Sequence, residues 1–195
     1  MNIKILKEKD IFKGFISLRQ VELQFEKFDG SWSEPVQRLV VHRSDAVAVL
    51  IYNRALRNVT MVRQFRYPVY SMEPEHGWSL EIVAGVIDAG ENPAATAIRE
   101  VEEETGFVIA AEKLISLGRI YPSPGAFSER IYLYAVDVSD CRRHGAGGGL
   151  AHEHEDVRVE AFGWDELSRM MARHEIEDAK SLITLQWLLT TIRER

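Results

Sequence analysis

Apolar and polar positions alternate from Phe15 to Phe28, with Val21, Leu23 and Phe25 on one side, and the run meets Asp29-Gly30-Ser31. This reads as a strand entering a turn. Pro35 to His42 supplies the return strand, which predicts an N-terminal antiparallel hairpin within residues 1–44. Two or three strands do not bury an apolar face by themselves. The hairpin is therefore expected to lie on the main domain, residues 45–195, or on another subunit.

Ala46 to Tyr52 and Val59 to Phe65 are dense in β-branched and apolar residues, and Asn53 and Asn58 bound the connection between them. They read as a hairpin of core strands. Pro68 to Gly77 reads as a polar loop and Trp78 to Val83 as a further strand. Asn92-Pro93 then offers a cap and a first-turn proline, AATAIREVEEE follows, and Gly106 closes the clearest helix of the chain. Strands are predicted at Leu114 to Ile120, Ile131 to Val138 and Val157 to Phe162, and helices at about Asp165–His174 and Asp178–Arg193. Between them, Arg142 to Asp156 holds four glycines and three histidines and reads as a long mobile loop.

Composition narrows the function. The 195 residues carry 24 Lys+Arg against 30 Asp+Glu, a formal charge of −6, which argues against a general nucleic-acid or anionic-membrane binder. No apolar run approaches the roughly 20 residues that span a bilayer, and the start MNIKILKEKD is too charged for a signal peptide, so a cytoplasmic protein is expected. Cys141 is the single cysteine, set among Asp140, Arg142 and Arg143, and reads as part of a solvated loop rather than as a nucleophile.

The predicted helix carries the chemistry. Ala94, Ala97, Ile98 and Val101 form an apolar stripe, while Glu100, Glu103 and Glu104 stand at i, i+3 and i+4 on a different face. Three like charges within one turn repel, and on a solvated helix such a cluster is common. A hard divalent cation cancels the repulsion and is the usual partner of substrate phosphates.

The flanking spacing decides between these. Gly85, five residues, Glu91, seven residues, Arg99-Glu100-Val101, one residue, Glu103-Glu104, one residue and Gly106-Phe107 fill nine positions across 23 residues. This resembles the Nudix box in full. The resemblance implies the α/β class: an α/β/α sandwich with a mixed sheet, here with the N-terminal β hairpin used in dimerisation, and hydrolysis of nucleoside diphosphates linked to another moiety. It implies Glu100, Glu104 and the backbone carbonyl of Ala84 as ligands of Mg²⁺, or Mn²⁺ in its place, with Glu103 assisting. Arg99 would orient a loop glutamate, foremost Glu91, by a charge-assisted hydrogen bond.

Beyond the box, RQFRYPVY, LEIVAGVID, YPSPGAFSERIYLY and GLAHEHEDVRV resemble the bacterial ADP-ribose pyrophosphatase branch, and GDP-mannose-hydrolysing relatives share much of this. The resemblance implies Glu153 as catalytic base on a loop, with Glu155 next and Glu129 third. It places Arg66, Glu81, Ser123 and Gly125 at the substrate. Phe15 and Arg38 would be supplied by the partner of a homodimer, although Phe15 is equally readable as dimer core. His152 and His154 flank Glu153, but adjacent ligands on a glycine-rich loop make a poor preformed zinc site. The expected activity is conversion of ADP-ribose to AMP and ribose 5-phosphate. The alternatives are hydrolysis of GDP-mannose or another nucleotide sugar, a non-hydrolytic ligand sensor, and, disfavoured by the charge, nucleic-acid cap hydrolysis.

Overall fold

The long apolar run at Ala46 became the centre of the larger of two compact units. In the computed structural model, which describes residues 1–150 and 156–191, one unit comprises Met1–Asp45 with Tyr121–Arg130, and the other Ala46–Ile120 with Ile131–Arg195.

The first unit is a three-stranded antiparallel sheet of β1 (Ile3–Lys13), β2 (Ser17–Phe25) and β3 (Val36–His42), in that order. The predicted hairpin is β2 with β3; β1 is an additional strand whose register against β2 shifts between Ile5 and Lys7 and again between Asp10 and Phe12. Its mixed charged and apolar sequence hides the alternation by which a strand is read. The segment Tyr121–Arg130 attaches to β3 through a parallel bridge between Val41 and Phe127, with the Val41 N–H donating to the Ala126 carbonyl at 2.8 Å.

In the second unit, β4 (Ala46–Asn53) pairs parallel with β10 (Ile131–Asp137) and antiparallel with β5 (Asn58–Phe65). The main path of this mixed sheet continues from β5 to β12 (Val157–Gly163) and from β10 to β9 (Ile115–Ile120). The predicted strand at Trp78 divides in two: β6 (Trp78–Glu81) pairs with β5, and β7 (Val83–Val86) pairs with β4. The break at Ile82 is held by its N–H donating to Ser181 Oγ at 2.8 Å. The expected polar loop before it contains a short helix, α1 (Tyr67–Met72), with Pro68 in its first turn.

Alternation along β4 builds the layers. Val47, Val49 and Ile51 pack with Ala97 and Val101 of α2 (Pro93–Thr105), whereas Ala48, Leu50 and Tyr52 pack with Trp164 and Leu167 of α3 (Trp164–Ala172) and Leu185 and Leu188 of α4 (Ala179–Thr191). Helices thus cover both faces, and β4 is buried on both, which is why it reads as a continuous apolar run. This is the expected α/β/α sandwich with a mixed sheet.

The stretch from Arg142 is not a free loop over its described part. Arg142–Arg143 form β11, which pairs with β8 (Phe107–Val108), and Gly148 donates its N–H to the Glu104 carbonyl at 2.9 Å. Among the described residues no helix is long and apolar enough to cross a membrane.

Candidate active site

Helix α2 begins where the sequence indicates: Asn92 Oδ1 accepts from the Ala94 N–H at 2.8 Å, and Pro93 occupies the first turn. It ends at Gly106, whose φ of 73° is the left-handed conformation that stops a helix. Between these points the apolar stripe seats the helix on the sheet, and that seating turns two carboxylates inward. Glu100 and Glu104 are 8% and 2% exposed, so this is no solvated acidic face.

Arg99 binds this group. Its Nη1 lies 2.8 Å from Glu100 Oε1 and donates to Glu103 Oε2 at 2.9 Å, while Nε and Nη2 donate to Glu91 at 3.5 and 3.4 Å. The expected Arg99–Glu91 pair is present, but the two glutamates on the helix itself are held closer. Burial pulls the Arg99 pKa down, and hydrogen bonds and fields from Glu91, Glu100 and Glu103 more than reverse it, so the net shift is upward. Hydrogen bonding by Arg99 likewise lowers the pKa of Glu91.

Ala84 lies in β7 opposite Ala48, next to Gly85. An ideal Cβ at Gly85 would overlap the Glu100 carboxyl, so only the absent side chain lets that carboxylate sit against the Gly85 backbone. Every donor here is a hard oxygen, and three carboxylates share the Arg99 guanidinium, which leaves the turn net negative. Such a donor set fits Mg²⁺ or Mn²⁺ and not a soft ion.

A second charged group adjoins it. Arg66 donates from Nε and Nη2 to Glu81 at 2.8 and 2.9 Å, and Lys180 Nζ donates to Glu81 at 2.6 Å and to Asp178 at 2.8 Å. Burial pushes the Glu81 pKa up, but the Arg66 hydrogen bonds and the Lys180 charge prevail and hold it at about 2. Arg66, lowered by desolvation, is raised overall by Glu81 and by the fields of Glu104 and Asp178, so both carboxylate groups act on one guanidinium. Sequence reading missed Lys180 and Asp178. The available signal was Asp178 with Ser181, an N-terminal cap in which Ser181 donates its N–H to Asp178 at 3.0 Å and so sets the turn that aims Lys180.

The remaining expected residues of described placement lie in the first unit. Phe15 is 82% exposed with the Arg43 guanidinium 5.7 Å from its ring centroid. Arg38 lies on β3 and donates to the Gln37 carbonyl. The Ser123 carbonyl accepts from Ala126 and Phe127, forming the turn that contains Gly125. Glu129 is buried, with Arg43 Nε 3.5 Å away. Glu153, Glu155, His152 and His154 lie outside the described residues. A surface group of Glu73, His76 and Glu177 also comes together, with His76 Nδ1 3.2 Å from Glu177 and 3.8 Å from Glu73, contacts that are ionic when the imidazole is protonated.

The model of the NUDIX domain matches residues 42–185, and the chain belongs to that family. It is 33% identical over 189 residues to an ADP-ribose pyrophosphatase of Haemophilus influenzae, covering 96% of this chain and 86% of that protein. A GDP-mannose pyrophosphatase of Enterobacter sp. is 31% identical over 188 residues, covering 96% and 95%. The ADP-ribose pyrophosphatase of Escherichia coli is 31% identical over 187 residues, covering 96% and 88%.

Proposed function

We propose that this chain is a divalent-metal-dependent pyrophosphohydrolase that cleaves ADP-ribose to AMP and ribose 5-phosphate. The observation that carries the reading is the inward-turned Glu100 and Glu104 on α2, one of them seated against the Gly85 backbone, within a chain whose relatives bear pyrophosphatase names.

Glu100, Glu104 and the Ala84 carbonyl would hold Mg²⁺, or Mn²⁺ in its place, with Glu103 assisting. A cation so held offsets the diphosphate charge and lowers the pKa of attacking water. Arg99 keeps Glu103 and Glu100 from splaying apart, since its Nη1 lies between them. Arg66, oriented by Glu81 through its Nε and Nη2, would offer its remaining N–H groups to phosphate oxygens. Water attacks phosphorus, the bridging P–O bond breaks, and the proton passes to a carboxylate. Glu153 is the first choice for that base, then Glu155 and Glu129. Phe15, Arg38, Ser123 and Gly125 are proposed as further substrate groups.

The same reading takes the enzyme to be a cytoplasmic homodimer. GDP-mannose is the second substrate candidate, favoured by relatives of that name at similar identity and coverage.

The test is product-resolved hydrolysis with Mg²⁺, offering ADP-ribose, GDP-mannose and UDP-glucose in parallel, with Glu104→Gln as control. Preferential AMP release that the substitution abolishes supports the reading. GMP release from GDP-mannose in preference moves the substrate and keeps the chemistry. Silence on all three overturns it.

A further inference from the structure

The end of α2 is covered in an unusual way. The last carbonyls of a helix have no partner within it and ordinarily turn to water or to a cap. Here four consecutive carbonyls, from Glu103 to Gly106, all accept hydrogen bonds from the segment Arg143–Gly149. The Gly149 N–H donates to Glu103 at 3.3 Å, the Gly148 N–H to Glu104 at 2.9 Å, Arg143 Nε to Thr105 at 2.7 Å and the His144 N–H to Gly106 at 2.8 Å.

Arg143 is the anchor of this arrangement. The β11–β8 pairing sets it opposite Phe107, with its guanidinium 5.8 Å from that ring centroid. A second nitrogen, Nη2, donates to the Ala146 carbonyl within its own loop. One planar fork therefore ties the loop to itself and to the helix, and its positive charge sits at the negative end of the helix dipole. The glycines serve the close approach. Gly147 has φ 72°, and a Cβ there would overlap the Glu104 carbonyl and lie 2.6 Å from Thr105 Cα.

We propose that Arg143 is a positioning residue: with the glycine segment it fixes the backbone of the turn that carries Glu103 and Glu104, and thereby the aim of their carboxylates at the cation. The inference rests on the metal reading given above. On this view the glycine run is a clamp that only side-chain-free backbone can form, and not a hinge.

The experiment uses the full chain and two readouts. Mn²⁺ binding without substrate is followed by the electron paramagnetic resonance of free Mn²⁺ in wild type, Arg143→Ala, Arg143→Lys and Glu104→Gln. Hydrogen exchange is followed over the peptides covering 103–108 and 143–150. Arg143→Ala is expected to weaken Mn²⁺ binding about ten-fold, the scale seen when groups that orient metal ligands are removed. Arg143→Lys should recover part of that loss, and exchange across 143–150 should quicken in the Ala variant.

A variant that loses thermal stability yet binds Mn²⁺ like wild type gives Arg143 a merely structural role and overturns the proposal. Should Arg143→Ala not fold, wild-type exchange decides: protected amides at 148 and 149 support the clamp, and exchange at free-peptide rates overturns it. Unchanged Mn²⁺ binding in Glu104→Gln would instead overturn the metal reading, which separates the two failures.

Discussion

Strand β4 and the sheet of the first unit are both rich in apolar residues, and they use them in opposite ways. From Ala46 to Tyr52 every β4 side chain is buried, successive residues going to the two helical layers. In the first unit Val21 is the only buried apolar side chain among the described residues, while Ile3, Ile5, Phe12 and Leu39 are between 53% and 63% exposed. The second unit completes its own core. The first carries an apolar surface larger than a solvated sheet needs, which supports the proposal that a second copy of the chain covers it.

The sharpest way to break this comparison is to shorten one leucine in each unit. Leu50→Ala should cost about 2–5 kcal/mol in denaturant unfolding, as fully buried leucines do. Leu39→Ala should cost less than about 0.5 kcal/mol in dilute protein, where no second copy contributes. Equal losses at low concentration would show that exposure of the first sheet is not what separates the two units.

Burial sharpens the comparison again at Glu81, whose folded pKa of about 2 lies below its ordinary value of 4.5. A depressed carboxylate contributes fully above 4.5 and loses that contribution as pH falls from 4.5 to 2. Wild type should therefore exceed Glu81→Gln by roughly 3 kcal/mol above pH 5, and the gap should close as pH approaches 2. A gap that does not change with pH would mean that Arg66 and Lys180 do not stabilise the carboxylate form. In the first unit the Asp10 carboxyl is also held at about 2, by Lys13 and Arg19, but it lies at the surface, where salt screens the attraction. Added salt should thus weaken the acid dependence contributed by Asp10 more than that of Glu81.

Next in size is Glu104→Gln. Activity with Mg²⁺ should fall at least about a hundred-fold, beyond the range for groups that merely orient ligands. Retention of most activity would remove Glu104 from the metal site. The smallest effect is expected at the sheet surface itself: Ile5→Glu should shift the mass in light scattering from dimer to monomer and raise KM about ten-fold, with kcat less affected. An unchanged mass would remove the Ile3–Ile5 side of the sheet from the dimer proposal.

Much of α2 was legible in the chain. Asn92, Pro93 and Gly106 mark its ends, and the spacing of Arg99, Glu100, Glu103 and Glu104 places four charged groups within two turns. These features act through neighbours three or four residues away, so they need no tertiary partner to be read. The strand β1 was not legible, because its charged and apolar residues do not alternate and its register shifts twice. As sequence, the glycines at 145 and 147–149 read as freedom, since composition records only the side chains they lack. In the structure that same lack permits contact with the end of α2.

The sequence by itself therefore determined the helix, its caps, its carboxylate set and the apolar run that becomes β4, whereas the division of that run between two layers came with the packing. Tertiary structure alone decided which carboxylates turn inward, that Lys180 reaches Glu81 across 99 positions and that Arg143 reaches Thr105 across 38. The physical reason is range. Helical period and capping are set within a turn, whereas burial and long-range ion pairs depend on sheet register and layer packing, which no local stretch of the chain contains.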